Sequence, residues 1–135
     1  MTPPTLARLA YVILYVDDID TAVKFYKDVF MFDVRRVDNS RKWAELETGS
    51  TTLAFTPLEQ RETKLTGGMH VPGEHEQRQN MDISISVSDV HDTYQRALIA
   101  GAKKIAKPEQ KNWGQIVGYI RDSFGITVQI GSHLT

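Results

Sequence analysis

The sequence predicts an α+β fold of two tandem βαβββ modules, and three observations predict it. The segments "YVILYVDDID" (Tyr11 to Asp20) and "DISISVSDVH" (Asp82 to His91) align without a gap. Each switches at an aspartate from alternating to helical apolar spacing. After each helix come three further strand candidates separated by turn signals. In the repeat register Leu14 matches Ile85, Val16 matches Val87, Asp18 matches Asp89 and Ile19 matches Val90, each pair 71 positions apart.

The elements follow in order. The first strand is rich in β-branched residues and runs into a helix with the apolar set Ile19, Ala22, Val23, Tyr26, Val29 and Phe30. Strand candidates then cover Phe32 to Val37, Lys42 to Glu47 and Thr51 to Thr56, with a hairpin connection at Thr48-Gly49-Ser50. In the second half the helix carries Val90, Tyr94, Ala97 and Leu98, and Gly101 is its stop. Strands follow at Lys103 to Ala106, Trp113 to Arg121 and Ile126 to Ile130, the last entered through the turn Asp122-Ser123-Phe124-Gly125. Asp18 or Asp20, and Asp89 or Asp92, suit the free amides of the first helical turns.

At 135 residues the chain fits one domain spanning 1–135, with module 1 at about 9–56, a linker at 57–80 and module 2 at about 81–131. The linker is rich in Gly, Pro, Glu and Gln, which reads as a connector or as a loop over a site. Sixteen basic against seventeen acidic residues leave a net charge of −1, which offers no footprint for nucleic acid or for an anionic membrane. No apolar run reaches the roughly 20 residues of a spanning helix, and Met1 to Arg8 lacks the layout of a signal peptide. The absence of cysteine removes disulfides, thiolate metal sites and a cysteine nucleophile, and cytoplasm is the expected compartment.

Strand parity divides the faces. Val12, Leu14 and Val16 share one side and Tyr11, Ile13 and Tyr15 the other; Ile83, Ile85 and Val87 oppose Asp82, Ser84 and Ser86; Ile126, Val128 and Ile130 oppose Thr127 and Gln129. The apolar faces belong under the helices. The polar faces meet water, as in any one-sided antiparallel sheet, or else surround a concavity that takes a ligand. Trp43 and Trp113, with Tyr11, Tyr15 and Tyr119 in strand register, are candidates for ligand stacking or for core packing. Asp82 is a candidate general base or a structural carboxylate bonded to Ser84, Gln129 or water. No phosphate loop follows Gly67 and Gly68, and no serine sits in a nucleophile elbow.

The strings "ILYVDDIDTAVKFYKDVF", "ISVSDVHDTYQRALIAGAKK" and "WGQIVGYIRDSFGITVQI" resemble the paired modules of the glyoxalase/bleomycin-resistance/dioxygenase (vicinal oxygen chelate) superfamily over roughly Leu9 to Ile130. Phe25-Tyr26, Gly101-Ala102, Trp113-Gly114 and the turn at Asp122, with Ser123 where the family has proline, carry the resemblance. It implies an open, curved mixed sheet around a cleft, and commonly a homodimer. It also places the family's metal-ligand positions on Tyr11, Ala54, Asp82 and Gln129, of which only Asp82 and Gln129 bear oxygen donors normally used for a metal. His70 and His75 fall in the linker, His91 on a helix start and His133 in the tail, without rigid metal-motif spacing. The expected cleft residues are Tyr11, Tyr15, Trp43, Ala54, Asp82, Ser84, Trp113 and Gln129, with no metal, no cofactor and no assigned catalytic residue.

These expectations favour metal-independent binding of a planar or cationic small molecule. The alternatives are a metal-dependent lyase or isomerase resembling lactoylglutathione lyase, and a purely structural interaction module.

Overall fold

The computed structural model describes residues 6–73 and 75–133. Met1 to Thr5, on which part of the signal-peptide reading rests, and Glu74 within "HVPGEHE" lie outside the described residues. The chain forms β1 (Tyr11–Val16), α1 (Ile19–Phe30), β2 (Asp33–Val37), β3 (Ala44–Glu47), β4 (Thr52–Pro57), α2 (Arg61–Leu65), β5 (Ile83–Val87), α3 (Val90–Ile99), β6 (Lys103–Gln110), β7 (Ile116–Arg121) and β8 (Thr127–Ser132). The strands form two four-stranded mixed sheets, ordered β1-β4-β3-β2 and β5-β8-β7-β6, with the first and last strand of each module parallel and the other pairs antiparallel. Neither sheet closes into a barrel.

The helix starts follow the aspartates. Asp18 accepts the Thr21 amide at 3.1 Å and Asp89 accepts the Asp92 amide at 3.0 Å, each from extended backbone, so the first aspartate of each pair is the cap. The Thr21 amide also holds the Asp18 carboxyl below its usual value near 3.8. Replacing Asp89 by alanine is expected to lower stability by about 1 kcal/mol, read as a lower midpoint in urea with an unchanged slope.

One apolar cluster lies between the sheets. Leu14, Val16, Leu46, Leu53 and Phe55 enter it from the first module, and Ile120, Val128 and Ile130 from the second, with α1 and α3 between them. Arg96 on α3 donates to the Val29 carbonyl at 2.7 and 3.2 Å, joining the helices. The buried Tyr26 hydroxyl of α1 donates at 2.7 Å to Asp122 in the β7–β8 turn. The other Asp122 oxygen accepts the amides of Phe124 and Ile126, both at 2.9 Å. The "FY" of the first helix and the aspartate of the last turn are therefore halves of one tie between modules.

Three elements differ from the sequence reading, and the first is β6, which runs past the expected end at Ala106 to Gln110 by pairing irregularly with β7. Trp113 stands in a turn and is 62% exposed, because Gly114 adopts a φ of 95° and its amide bonds the Lys111 carbonyl, closing a hairpin before β7 starts. The polar segment after Pro57 contains the short α2 and then a strap across the end of the second sheet. There Arg121 donates to the carbonyls of Gly73 at 3.0 Å and Glu76 at 3.2 Å, and Pro72 is buried. Glu76 also accepts the Gly73 amide at 2.9 Å and contacts His70 Nε2 at 2.7 Å. These bonds, the Gly73 amide first, hold the Glu76 carboxyl below its usual value. No described helix is long and apolar enough to cross a membrane.

Candidate functional site

Each sheet has a face turned away from the shared core, and the two faces carry different chemistry. On the first sheet Tyr11 pairs in register with Thr52, Ile13 with Ala54 and Tyr15 with Thr56, while Glu45 of β3 also lies opposite Ala54. Tyr11 and Trp43 meet edge to face with ring centroids 5.6 Å apart, a favoured aromatic geometry. Ala54, between Ile13 and Glu45, is fully buried and presents nothing to solvent.

Glu45 is the residue the sequence reading missed. It is 3% exposed although it sits on the helix-free face. Its Oε2 accepts the Trp43 indole N–H at 2.8 Å. Two guanidinium groups approach it, with Arg35 Nε 3.7 Å from Oε1 and Arg36 Nε 3.6 Å from Oε2. Consecutive strand residues normally point to opposite faces. Here the pairing steps from Val34 opposite Leu46 to Arg36 opposite Glu45, leaving Arg35 as an extra residue. This bulge directs both arginines toward the same carboxylate. Arg35 is fixed further by Nη1 donating to Thr52 Oγ1 at 2.8 Å. The available signal was that Trp43 and Glu45 share strand parity beside an arginine pair.

On the second sheet Ser84, directly opposite Gln129, donates to its Oε1 at 2.5 Å, and Gln129 Nε2 donates to the Tyr119 hydroxyl at 2.8 Å. Asp82 joins neither Ser84 nor Gln129. Its carboxylate takes Arg78 from the preceding segment at 3.1 Å. It lines a recess of about 150 Å³ with Gln79, Met81 and Thr127. A larger cavity of about 370 Å³ opens between the modules against Val12, Phe32, Leu53 and residues 83–86, with no charged side chain in its lining. Of the expected cleft residues, only Ser84 lines that cavity.

The structure thus brings Tyr11 and Trp43 together on one sheet, and Ser84 and Gln129 on the other, with the core between the two groups. Tyr15 is half-buried opposite Thr56, while Trp113 stands apart on its turn, where its indole N–H bonds Gln115 at 2.9 Å. The four positions at which the sequence resemblance places metal ligands do not fit a chelated cation. Tyr11 packs on Trp43, Ala54 is a buried methyl, Asp82 is paired with an arginine, and both ends of the Gln129 amide are hydrogen-bonded. Among the described residues no three His, Asp or Glu side chains gather to hold a metal.

Two βαβββ modules with mixed four-stranded sheets define a class of paired-module α+β proteins. The chain belongs to the Glyoxalase/Bleomycin resistance protein/Dioxygenase superfamily, whose family model matches residues 8–130. It is 29% identical over 118 residues to the uncharacterized protein YraH of Bacillus subtilis (strain 168), spanning 85% of this chain and 90% of that protein. Among solved structures it is similar to a glyoxalase-related enzyme from Fulvimarina pelagi, at TM-score 0.77 and 19% identity over 95% of this chain and 89% of that one. It is also similar to TioX from Micromonospora sp. ML1, at TM-score 0.69 and 24% identity over 95% of this chain and all of that one (100%). At these identities the solved structures speak to the fold.

Proposed function

We propose that this protein binds a planar organic small molecule without a metal, in a cleft that two copies of the chain complete. The observation that carries the reading is the first sheet's free face, where the positions expected to chelate a cation hold Tyr11, packed against Trp43, and the buried methyl of Ala54. Around them lies a fixed polar set of Glu45, Arg35 and Arg36. Such a surface orients a ring and one polar group. Asp82, beside the second sheet, is engaged by Arg78 at 3.1 Å.

The four sheet edges support the homodimer. The edges β2 and β6 carry charges and register irregularities, and β6 also Pro108, which protect exposed strands from pairing. The edges β1 ("YVILYV") and β5 ("ISISV") have no charge, proline or register shift, and Tyr11 and Ile13 remain about 40% exposed (43% and 40%). Laying β1 of one copy beside β5 of another places the Tyr11/Trp43 face next to the Ser84/Gln129 face. The reading sets the protein in the cytoplasm.

Size-exclusion chromatography with light scattering is expected to give twice the chain mass of 15.3 kDa. Thermal melts with nickel, zinc or manganese are expected to show no stoichiometric stabilisation, whereas planar aromatic compounds raise the midpoint through linkage. A monomer removes the two-copy cleft, and one tightly bound metal per chain held by its own side chains replaces this reading with a lyase or isomerase.

A further inference from the structure

From the Glu45 cluster we infer that the ligand is a planar aromatic acid whose carboxylate is received by Arg35 and Arg36. The inference rests on the reading of this face as the binding surface and adds the charge of the ligand. Aromatic rings alone suit a cation, and the surrounding groups decide otherwise. Two guanidinium groups face one buried carboxylate, and the nearest Glu45 approaches, at 3.6 and 3.7 Å, are longer than a hydrogen bond. Glu45 takes its short bond from the Trp43 indole instead. The arginines therefore hold their positions by charge without committing their outer N–H groups to Glu45. Arg35 uses one Nη on Thr52, and Arg36 reaches Asp38 at 3.5 Å at the solvent end of its strand.

Both arginine side chains are about half exposed (49% and 57%), so an incoming anion reaches them without displacing a buried partner. Glu45 and Asp38 together balance the two guanidinium charges, so an anion is received by the outward N–H edges of Arg35 and Arg36 and not by a net charge of the face. Guanidinium groups bind carboxylates in a bidentate, planar manner. A ring attached to that carboxylate then extends over the Tyr11/Trp43 pair, 5.6 Å between centroids. A cationic ligand meets the same two guanidinium groups as a repulsion.

Isothermal titration of the full chain with 2-naphthoate, neutral 2-naphthamide and cationic 2-naphthylmethylammonium separates the alternatives. The Trp43 indole N–H is followed by NMR in the same samples. 2-Naphthoate is expected to bind at least about tenfold more tightly than the amide, with a shift of the Trp43 signal. Arg36→Gln is expected to weaken 2-naphthoate binding more than amide binding and so to erase that ratio, and Arg35→Gln serves as a second variant should the first unfold. Equal binding of the cation, or an unchanged ratio in both folded variants, overturns the anion assignment and leaves the binding face standing. Failure of all three probes to bind or to move the Trp43 signal removes the binding face and this inference together.

Discussion

Replacing Tyr26 by phenylalanine is expected to lower the unfolding free energy by about 1–3 kcal/mol, the usual cost of leaving a buried acceptor without its donor. The ring remains packed against Phe30 and Phe55, so only the hydroxyl is lost. That hydroxyl holds Asp122, whose carboxylate in turn fixes the amides of Phe124 and Ile126. Burial pushes the Asp122 carboxyl above its ordinary value near 3.8, and the Tyr26, Ile126 and Phe124 bonds only partly offset it. The folded state therefore holds this proton more tightly than the unfolded chain does. The resulting stability is complete below the unfolded value and is lost as pH rises through the raised folded value. The stability of the natural chain relative to Asp122→Asn should accordingly fall as pH rises past the ordinary carboxyl value near 3.8, measured by urea unfolding at stepped pH. A flat difference would show that burial does not control this carboxyl. Tyr26, wholly buried and beside that carboxylate, is itself pushed well above the usual phenol value, desolvation being the main cause, and stays protonated throughout.

The second large effect is expected at Arg121. Arg121→Met should cost about 2–3 kcal/mol, since its charged bonds to two strap carbonyls are lost together from a site where the residue is only 8% exposed. The strap also loses its attachment at one point, so amides of residues 70–79 should exchange faster than those of β7 and β8. The backbone of Gly125 lies so close to Val71 and Pro72 that an added side chain would crowd them, which shows how tightly the segment is seated. Hydrogen exchange by mass spectrometry on both proteins reads the effect directly. Equal protection of 70–79 in the two would mean that Pro72 packing, and not the guanidinium, holds the strap.

Much of the fold was legible because it follows from period and punctuation. The two strand-to-helix switches, a capping aspartate within each of the pairs Asp18/Asp20 and Asp89/Asp92, and the burial of Leu14, Val16, Val128 and Ile130 each depend on nearest neighbours along the chain. Trp113 misled because an aromatic beside a strand reads as part of it, while the decisive residue was Gly114 with its left-handed backbone. The site was legible by halves. Tyr11, Trp43, Ser84 and Gln129 share faces by simple alternation. Arg35 and Arg36 do not, since one extra residue in β2 changes parity locally, and a glutamate in a short strand reads as solvated until its arginines are placed. The Tyr26 tie spans 96 positions, and no local pattern announces so distant a bond.

That tie also breaks the likeness between the halves. At the repeat spacing of 71 positions, Tyr26 corresponds to Ala97 and Asp122 to Thr51, so the bond has no mirror image. A protein built from two copies of the first half would carry a phenol on each helix and no carboxylate to receive either one. If the gene arose by duplication, the halves have since become complementary parts, and neither can stand in for the other.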